Sequence, residues 1–159
     1  MPATIPTNLP AESELSDLFN LMPQGVAICT LIFDDSGNTI DFTYDFVNPA
    51  FYTLTGLSDV INKKISIVIP NLYEVHPGLF NVYGEVISTG KMAQFETNIR
   101  ILDIWLSASA FKSQSGKLIV VFENITEIKR TEADLAQRLT SLIHLSSTVR
   151  EFRKNVQLL

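Results

Sequence analysis

Ten residues, Val47 to Gly56, constrain the fold of this chain more than any other segment, because they contain a strand end, a helix start and a helix stop. Asn48 suits the N-cap position, since its side-chain oxygen can accept a hydrogen bond from a free backbone N–H of the first turn. Pro49 suits the first helical position, where no N–H is needed, and Gly56 suits the end of the helix. The segment therefore predicts a strand that turns directly into a short helix.

Five segments have the composition of β-strands. Residues 25–33 and 117–123 are apolar along most of their length, which predicts strands buried on both faces. Residues 40–46 alternate apolar and polar side chains, which predicts one core face and one wet face. Residues 92–102 and 104–112 alternate in the same way. On the segment 40–46, the predicted core face carries Ile40, Phe42, Tyr44 and Phe46.

Helical spacing of apolar residues appears in three parts of the chain. Residues 12–22 carry one apolar stripe, and residues 77–89 carry a second one that ends at Gly90. From Thr126 to the end, apolar residues follow a 4,3 alternation, which is the spacing of a coiled coil. Three slots of that alternation are polar and weaken the coiled-coil prediction: Glu132, Ser146 and Arg153.

The corner at 47–56, together with Asn124-Ile125-Thr126-Glu127, resembles the signature of PAS sensor domains, an N-x-A-F…T-G corner and a terminal D-I-T-like exit. The resemblance runs from about Leu18 to Glu132. It implies an α+β fold in which helices cover one face of a five-stranded antiparallel sheet, with the first and fifth strands side by side at the centre. The two apolar segments, 25–33 and 117–123, are the first and fifth strands of this chain, so periodicity and resemblance agree.

The resemblance also implies a helix before the sheet and a long signalling helix after it. The expected organisation is a disordered tail at 1–11, an N-terminal helix at 12–22, a PAS domain at 23–126 and a signalling or coiled-coil helix at 127–159. The chain ends within a helical pattern, so we expect a fragment of a longer protein with a covalently attached output domain.

Composition excludes several classes of function. The net charge of -5, with 12 Lys and Arg residues and no basic cluster, argues against binding to nucleic acid or to an anionic membrane surface. One cysteine cannot form an intrachain disulfide, and no Cys/His cluster has zinc spacing, so we expect no metal site. No apolar run approaches the roughly 20 residues that span a bilayer. We therefore expect a cytoplasmic protein without membrane insertion.

The resemblance implies that a ligand, if one is bound, lies between the inner sheet face and the covering helices. Two alanines leave room there, although aromatic side chains can equally fill the space. Tyr44 and Thr97 are the polar groups that would orient a ligand. The residues predicted for this pocket are Tyr44, Phe51, Thr97, Ile104, Leu106, Ala108, Ala110, Val120 and Phe122.

Two cofactors of the family are disfavoured by the residues present. Photochemical flavin use requires a cysteine after the corner helix, whereas residues 57–70 contain none and Cys29 lies in a predicted buried strand. His76 is the one candidate for a haem ligand, but its place at a helix start favours an exposed capping residue. The identity of any cofactor stays open.

No catalytic constellation is present, so we expect a regulatory module and no enzyme activity in this chain. The expected function is a sensor that relays ligand or partner binding to an output domain such as a histidine kinase of a two-component system or a cyclic-dinucleotide enzyme. Asn124, Thr126 and Glu127 are the expected relay, with Asn124 as N-cap and Glu127 at position N3 of the long helix. The alternatives are a ligand-free module for dimerisation or protein docking and, less favoured, a small enzyme with an α+β pocket.

A homodimer is expected, because the two central strands predict an apolar outer sheet face that needs a cover. The predicted dimer interface consists of Leu15, Leu18, Phe19 and Met22 of the first helix and Leu135, Leu139 and Leu142 of the last.

Overall fold

The computed structural model describes residues 10–158, so most of the predicted tail (residues 1–9) and Leu159 lie outside the described residues. The elements from the first helix to the last strand form one compact unit, and the final helix belongs to a second. In chain order they are α1 (Glu12–Leu21), β1 (Gly25–Phe33), β2 (Thr39–Val47), α2 (Pro49–Thr55), α3 (Ile65–Val68), α4 (Leu72–Val75), α5 (Pro77–Thr89), β3 (Ala93–Ile99), a 3-10 turn (Arg100–Leu102), β4 (Ile104–Lys112), β5 (Leu118–Asn124) and α6 (Thr126–Gln157).

The five strands form one antiparallel sheet in the order β2-β1-β5-β4-β3, which confirms the expected fold. β1 and β5 lie side by side, as the two apolar segments predicted. On the inner face, Ala27 pairs with Val120, and both are buried. The buried core lies between this face and helices α2 to α5.

The predicted single core face of β2 is wrong at both ends, because the β1–β2 register shifts twice. Cys29 pairs with Tyr44, but the preceding Ile28 pairs with Phe46, which places Phe46 on the outer face of the sheet. Phe46 is 63% exposed. A second shift near Thr39 leaves Ile40 40% exposed. Of the four side chains on the predicted core face, only Phe42 and Tyr44 are buried.

Two other strand predictions need correction. The third strand ends at Ile99 rather than 102, because the chain tightens into a 3-10 turn closed by Asp103 in the left-handed conformation (φ 53°). The two central strands are not buried on both faces: Ile119 and Val121 on the outer side of β5 are only half-buried. α1 contacts α2 and has no buried residue between 12 and 21.

The expected N-cap of the long helix is also wrong. Asn124 is the last residue of β5, and its side-chain amide donates to the carbonyl of Leu54 at 2.8 Å. The N-cap position of α6 belongs to Ile125, which provides no side-chain cap, and the helix begins at Thr126, where the apolar spacing predicted it. The side chain that would have capped the helix therefore ties the end of β5 to α2.

The corner at Asn48 has the predicted structure. Asn48 caps α2 by accepting from the backbone N–H of Phe51 at 3.1 Å, Pro49 is the first helical residue, and Gly56 is left-handed (φ 73°). The same Oδ1 accepts from Val26 N at 2.8 Å. Its Nδ2 donates to the carbonyls of Phe19 (3.1 Å) and Gln24 (2.9 Å). The completely buried amide of Asn48 thus joins α1, β1 and α2.

We predict that Asn48→Ala lowers the free energy of unfolding by about 2 to 4 kcal/mol, because it leaves several buried backbone groups without partners. Asn48→Asp should also be destabilising, since a carboxylate oxygen would face two carbonyl oxygens. Urea denaturation of the full chain measures both effects. Asn81→Ala, at an exposed position of α5, is the control and should change little. An Asp variant as stable as the wild type would show that only the cap contributes.

Candidate functional site

An internal cavity of about 60 Å³ lies between the inner sheet face and the covering helices. All five strands line it, together with α2, α4 and α5. A volume of this size holds about four water molecules. None of the described residues that line it is charged.

The structure brings eight of the nine predicted pocket residues to this cavity. Ala110 is the exception: it is completely buried but does not line the space. That these residues hold a ligand stays a prediction. The eight are Tyr44, Phe51, Thr97, Ile104, Leu106, Ala108, Val120 and Phe122.

The cavity persists because a small side chain stands among large rings. Ala108 pairs with Phe95 on one side and with Phe122 on the other. Phe51 makes edge-to-face contacts with Tyr44 (centroids 5.1 Å apart) and with Phe122 (5.8 Å). These contacts hold the rings at the boundary of the cavity. The aromatic side chains surround the space and do not fill it.

Two tyrosine hydroxyls at this cavity have no hydrogen-bond partner among the described residues. Tyr44 and Tyr83 both line it and are each 8% exposed. Thr39 Oγ1 is the one side-chain oxygen or nitrogen of the described residues that is fully enclosed without a partner. Because both tyrosines line the cavity, their hydroxyls are the donors that a molecule in it would meet.

The ionisable groups at the cavity are held in their neutral forms. Burial raises the pKa of the Cys29 thiol, and the nearby Asp45 carboxylate raises it further. Burial also raises the pKa of Tyr44 and Tyr83, and their proximity to Cys29 adds to this effect. The site therefore offers neutral hydroxyl donors, a weak thiol donor and no fixed charge.

Sequence reasoning missed Tyr83 and Cys29 as cavity residues. Tyr83 lies within the apolar helical stripe predicted for residues 77–89, and Cys29 lies in a strand predicted to be buried. A hydroxyl on an otherwise apolar helix face was the available signal for Tyr83. Nothing in the sequence placed that hydroxyl near Tyr44, since the two residues meet only through α5 packing on β2.

A surface groove lies between the start of α5 and β3, and it shares three wall residues with the cavity: Leu79, Phe95 and Thr97. These side chains separate the cavity from the surface. His76, the candidate haem ligand, lies in this groove and not at the cavity. Its Nε2 accepts from the backbone N–H of Arg100 at 3.2 Å. His76 occupies the N-cap position of α5, but its side chain does not cap the helix, contrary to the expectation. The bond joins the start of α5 to the turn after β3.

The predicted relay residues follow the cavity along the chain. Phe122 lies over Gly25, where an added Cβ would come within 2.3 Å of the ring. Only glycine leaves space for the ring at that point. Asn124 lies two residues further along β5, Thr126 is the first residue of α6, and the exposed Glu127 pairs with Arg130 at 3.2 Å. Their role in a relay stays a prediction.

The predicted dimer residues lie on two separate elements. On α1, Leu15 and Leu18 are exposed, while Phe19 and Met22 at its C-terminal end are half-buried. On α6, Leu135, Leu139 and Leu142 are exposed, and no residue from 126 to 157 contributes to the core. The sheet presents a further apolar surface. One row of paired residues crosses four strands of its outer face: Phe46, Ile28, Ile119 and Phe111.

Residues 13–87 match a family described as PAS domain. The chain contains a PAS domain. Domains of this family are sensor modules typical of signalling proteins, and they are generally regulatory. The match begins in α1, includes the corner at Asn48 and ends two residues before the end of α5. The remaining strands, β3 to β5, lie after the matched residues and belong to the same sheet.

Several solved structures are similar to the PAS domain. A domain of an HTR-like protein from Haloarcula marismortui is 15% identical, with 66% of this chain and 100% of that chain covered and a TM-score of 0.47. A domain of a sensory box sensor histidine kinase/response regulator from Geobacter sulfurreducens is 19% identical (70% and 91% covered, TM-score 0.44). A PAS domain from Colwellia psychrerythraea is 15% identical (72% and 97% covered, TM-score 0.44). No curated protein matches the chain.

No helix between residues 10 and 158 has the length and apolar character of a membrane span. The longest, α6, is rich in charged residues.

We predict that the PAS domain loses stability between pH 7 and pH 5 in part through His76. Partial burial and the nearby Arg100 charge lower the pKa of His76, and only the neutral ring can accept from Arg100 N–H. The folded state therefore binds this proton less readily than the unfolded state, so the stabilisation is present above the ordinary histidine pKa and is lost as pH falls below it.

Urea denaturation at several pH values tests this, with His76→Gln as the comparison, because its amide oxygen can accept at every pH. The loss of stability on acidification should be smaller in the Gln variant. Equal losses in both proteins would contradict the assignment.

Proposed function

We propose that this PAS domain is the sensor of a signalling protein, that it binds a small molecule in the internal cavity, and that α6 carries the bound state to an attached output domain. The observation that carries the proposal is the uncharged cavity lined by Tyr44 and Tyr83, whose hydroxyls make no hydrogen bond to a described residue. Protein cores are normally close-packed, and their buried polar groups normally have hydrogen-bond partners, so hydroxyls without partners beside a cavity are unusual in a core that serves packing alone.

A contiguous set of contacts supports a path from the cavity to the end of the sheet. Tyr44 contacts Phe51, Phe51 contacts Phe122, and Phe122 is two residues from Asn124 on β5. Asn124 in turn donates to the carbonyl of Leu54 near the end of α2. A ligand that moves the Tyr44 ring would therefore shift the end of β5, provided that it binds the two arrangements with different affinity.

Two copies of the chain are proposed to associate through α6. The apolar spacing of this helix continues without a polar interruption if it passes through Leu145 and Phe152 instead of Ser146 and Arg153. All seven side chains on this stripe are more than one-third exposed: Leu135, Leu139, Leu142, Leu145, Val149, Phe152 and Val156. The mean spacing is 3.5 residues, which is the repeat of a left-handed coiled coil, with one change of phase at Leu142. α1 and the outer sheet face are further apolar surfaces that a second copy could cover.

We place the protein in the cytoplasm, as a regulatory and non-catalytic module of a histidine kinase or a cyclic-dinucleotide enzyme. The boundaries proposed are an N-terminal helix at 12–22, the PAS domain at 23–126 and the signalling helix at 127–159. Native mass spectrometry of protein purified from cells is the most direct test of the proposed sensor function. A small molecule retained by the protein would support it.

A second candidate function is dimerisation or protein docking without a ligand. The observation in its favour is the cavity volume of about 60 Å³, which is well below the roughly 300 Å³ or more of typical ligand pockets. In this case the exposed apolar stripe of α6 would be the functional surface, and the cavity would hold only water.

We predict different outcomes for two substitutions on the same face of β4. Ala108→Leu extends into the cavity, so it should cost less than about 1.5 kcal/mol of stability and should abolish retention of a small molecule. Ala110→Leu enters filled core and should cost about 1 to 3 kcal/mol through overpacking. Thermal melts and native mass spectrometry measure the two effects. Equal destabilisation by both, with no molecule retained by the wild type, would favour the docking function.

We also predict that the full chain is a dimer in light scattering and that Leu142→Glu makes it monomeric at low micromolar concentration. A charge at the centre of the stripe would be buried without a partner in the dimer. Gln137→Glu, an exposed position on the opposite side of α6, is the control and should leave the dimer intact. A wild-type chain that stays monomeric at high micromolar concentration would rule out this interface.

A further inference from the structure

The donors at the cavity restrict what it can hold. Tyr44 and Tyr83 each present a neutral O–H, and neither is hydrogen-bonded to a described residue. Two threonines also line the cavity: Thr55 donates to Phe51 O at 2.7 Å and accepts from Leu57 N at 3.2 Å, whereas Thr97 lies in the wall shared with the surface groove. A molecule that accepts hydrogen bonds would satisfy the two free tyrosine donors, whereas a pure hydrocarbon would leave both unsatisfied.

The lining also excludes an ion. A charged molecule that enters the cavity loses its hydration, and none of the described lining residues carries a compensating charge. Cys29 cannot supply an anion, because burial raises the pKa of its thiol. Neutral molecules face a smaller cost of the same kind, which two hydrogen bonds can offset.

The size of the cavity sets the last limit. A space of about 60 Å³, or about four water molecules, admits roughly four or five non-hydrogen atoms. A larger molecule would have to displace Leu79, Phe95 or Thr97, which form the wall toward the surface groove. Without that displacement, only small molecules fit.

We propose that the cavity takes an uncharged molecule of about four or five non-hydrogen atoms with a carbonyl-type oxygen that accepts hydrogen bonds from the hydroxyls of Tyr44 and Tyr83. This rests on the proposed function as a ligand sensor, and it adds the chemical class of the ligand. Tyr44 and Tyr83 are the residues that set the specificity, and the apolar rings around them receive the carbon atoms.

Three probes of nearly equal shape test the class. Acetone has four non-hydrogen atoms and a neutral acceptor, acetate adds a charge, and isobutene lacks the acceptor. NMR titration of the full chain should show saturable shifts at the amides of β1, β2 and α5 with acetone. Acetate should bind at least about tenfold more weakly, because the cavity has no positive charge to offset its carboxylate. Isobutene should bind at least about tenfold more weakly as well, because it leaves the two tyrosine donors unpaired.

Hydroxyl-deleting variants connect the probe to the two residues. Tyr44→Phe and Tyr83→Phe keep the rings and should each weaken acetone binding by about fivefold to tenfold. Tyr73→Phe, which removes an exposed hydroxyl outside the cavity, should leave it unchanged. Thermal melts of the empty proteins add an independent readout: because the two buried hydroxyls make no protein contact, their loss should not lower the melting temperature.

The outcomes separate the two levels of the proposal. Isobutene or acetate binding as tightly as acetone, or unchanged acetone affinity in both Phe variants, overturns the chemical class while leaving a ligand-binding cavity. Absence of binding by all three probes, together with no retained molecule in native mass spectrometry, overturns the sensor function itself. A lower melting temperature in the Phe variants also counts against the proposal, because it would show that the hydroxyls are satisfied by structural water.

Discussion

The side-chain amide of Asn48 is the interaction on which the arrangement of the elements depends. It is completely buried and makes four hydrogen bonds to backbone groups of four different residues, so its donors and its acceptor oxygen are all used. These bonds fix the end of α1, the start of β1 and the start of α2 relative to one another. Because α2 carries Phe51, the same amide sets the position of the ring that borders the cavity.

The cavity forms because strand pairing places one small side chain between large aromatic rings. Ala108 is paired between two phenylalanines, and the rings that could fill the space are held by edge-to-face contacts with other rings. Because Gly25 has no side chain, the Phe122 ring lies over the backbone of β1 at that point. A void in such a place forfeits packing energy, and the two free tyrosine hydroxyls beside it add to that cost. The cavity is therefore less stable than a filled core would be.

The surfaces outside the core differ in chemistry from the cavity. The outer sheet face has an apolar row bordered by a polar cluster, in which Lys117 donates to Asp45 at 2.6 Å and Thr30 donates to the same carboxylate at 2.7 Å. Burial alone would raise the pKa of Asp45, but these hydrogen bonds outweigh it and lower the pKa. The ionised carboxylate therefore marks the limit of the apolar surface. α6 repeats the pattern, with an apolar stripe beside ion pairs such as Asp134–Arg138.

The sequence by itself determined two features that depend on neighbouring residues: the capped corner at Asn48 and the identity of the five strands. The resemblance to PAS domains named nine residues for the pocket, of which eight line the cavity. It could not determine where alternation fails, because the register shifts that expose Phe46 arise only when β2 pairs with β1. The spacing of Asn124 to Glu127 predicted a helix cap, whereas in the folded domain Asn124 ends β5 one residue before the N-cap position and donates to the carbonyl of Leu54. Only the tertiary structure placed Tyr83 with Tyr44 at one cavity, since hydrogen-bonding groups on α5 and β2 meet through packing across the core and not through any local pattern in the chain.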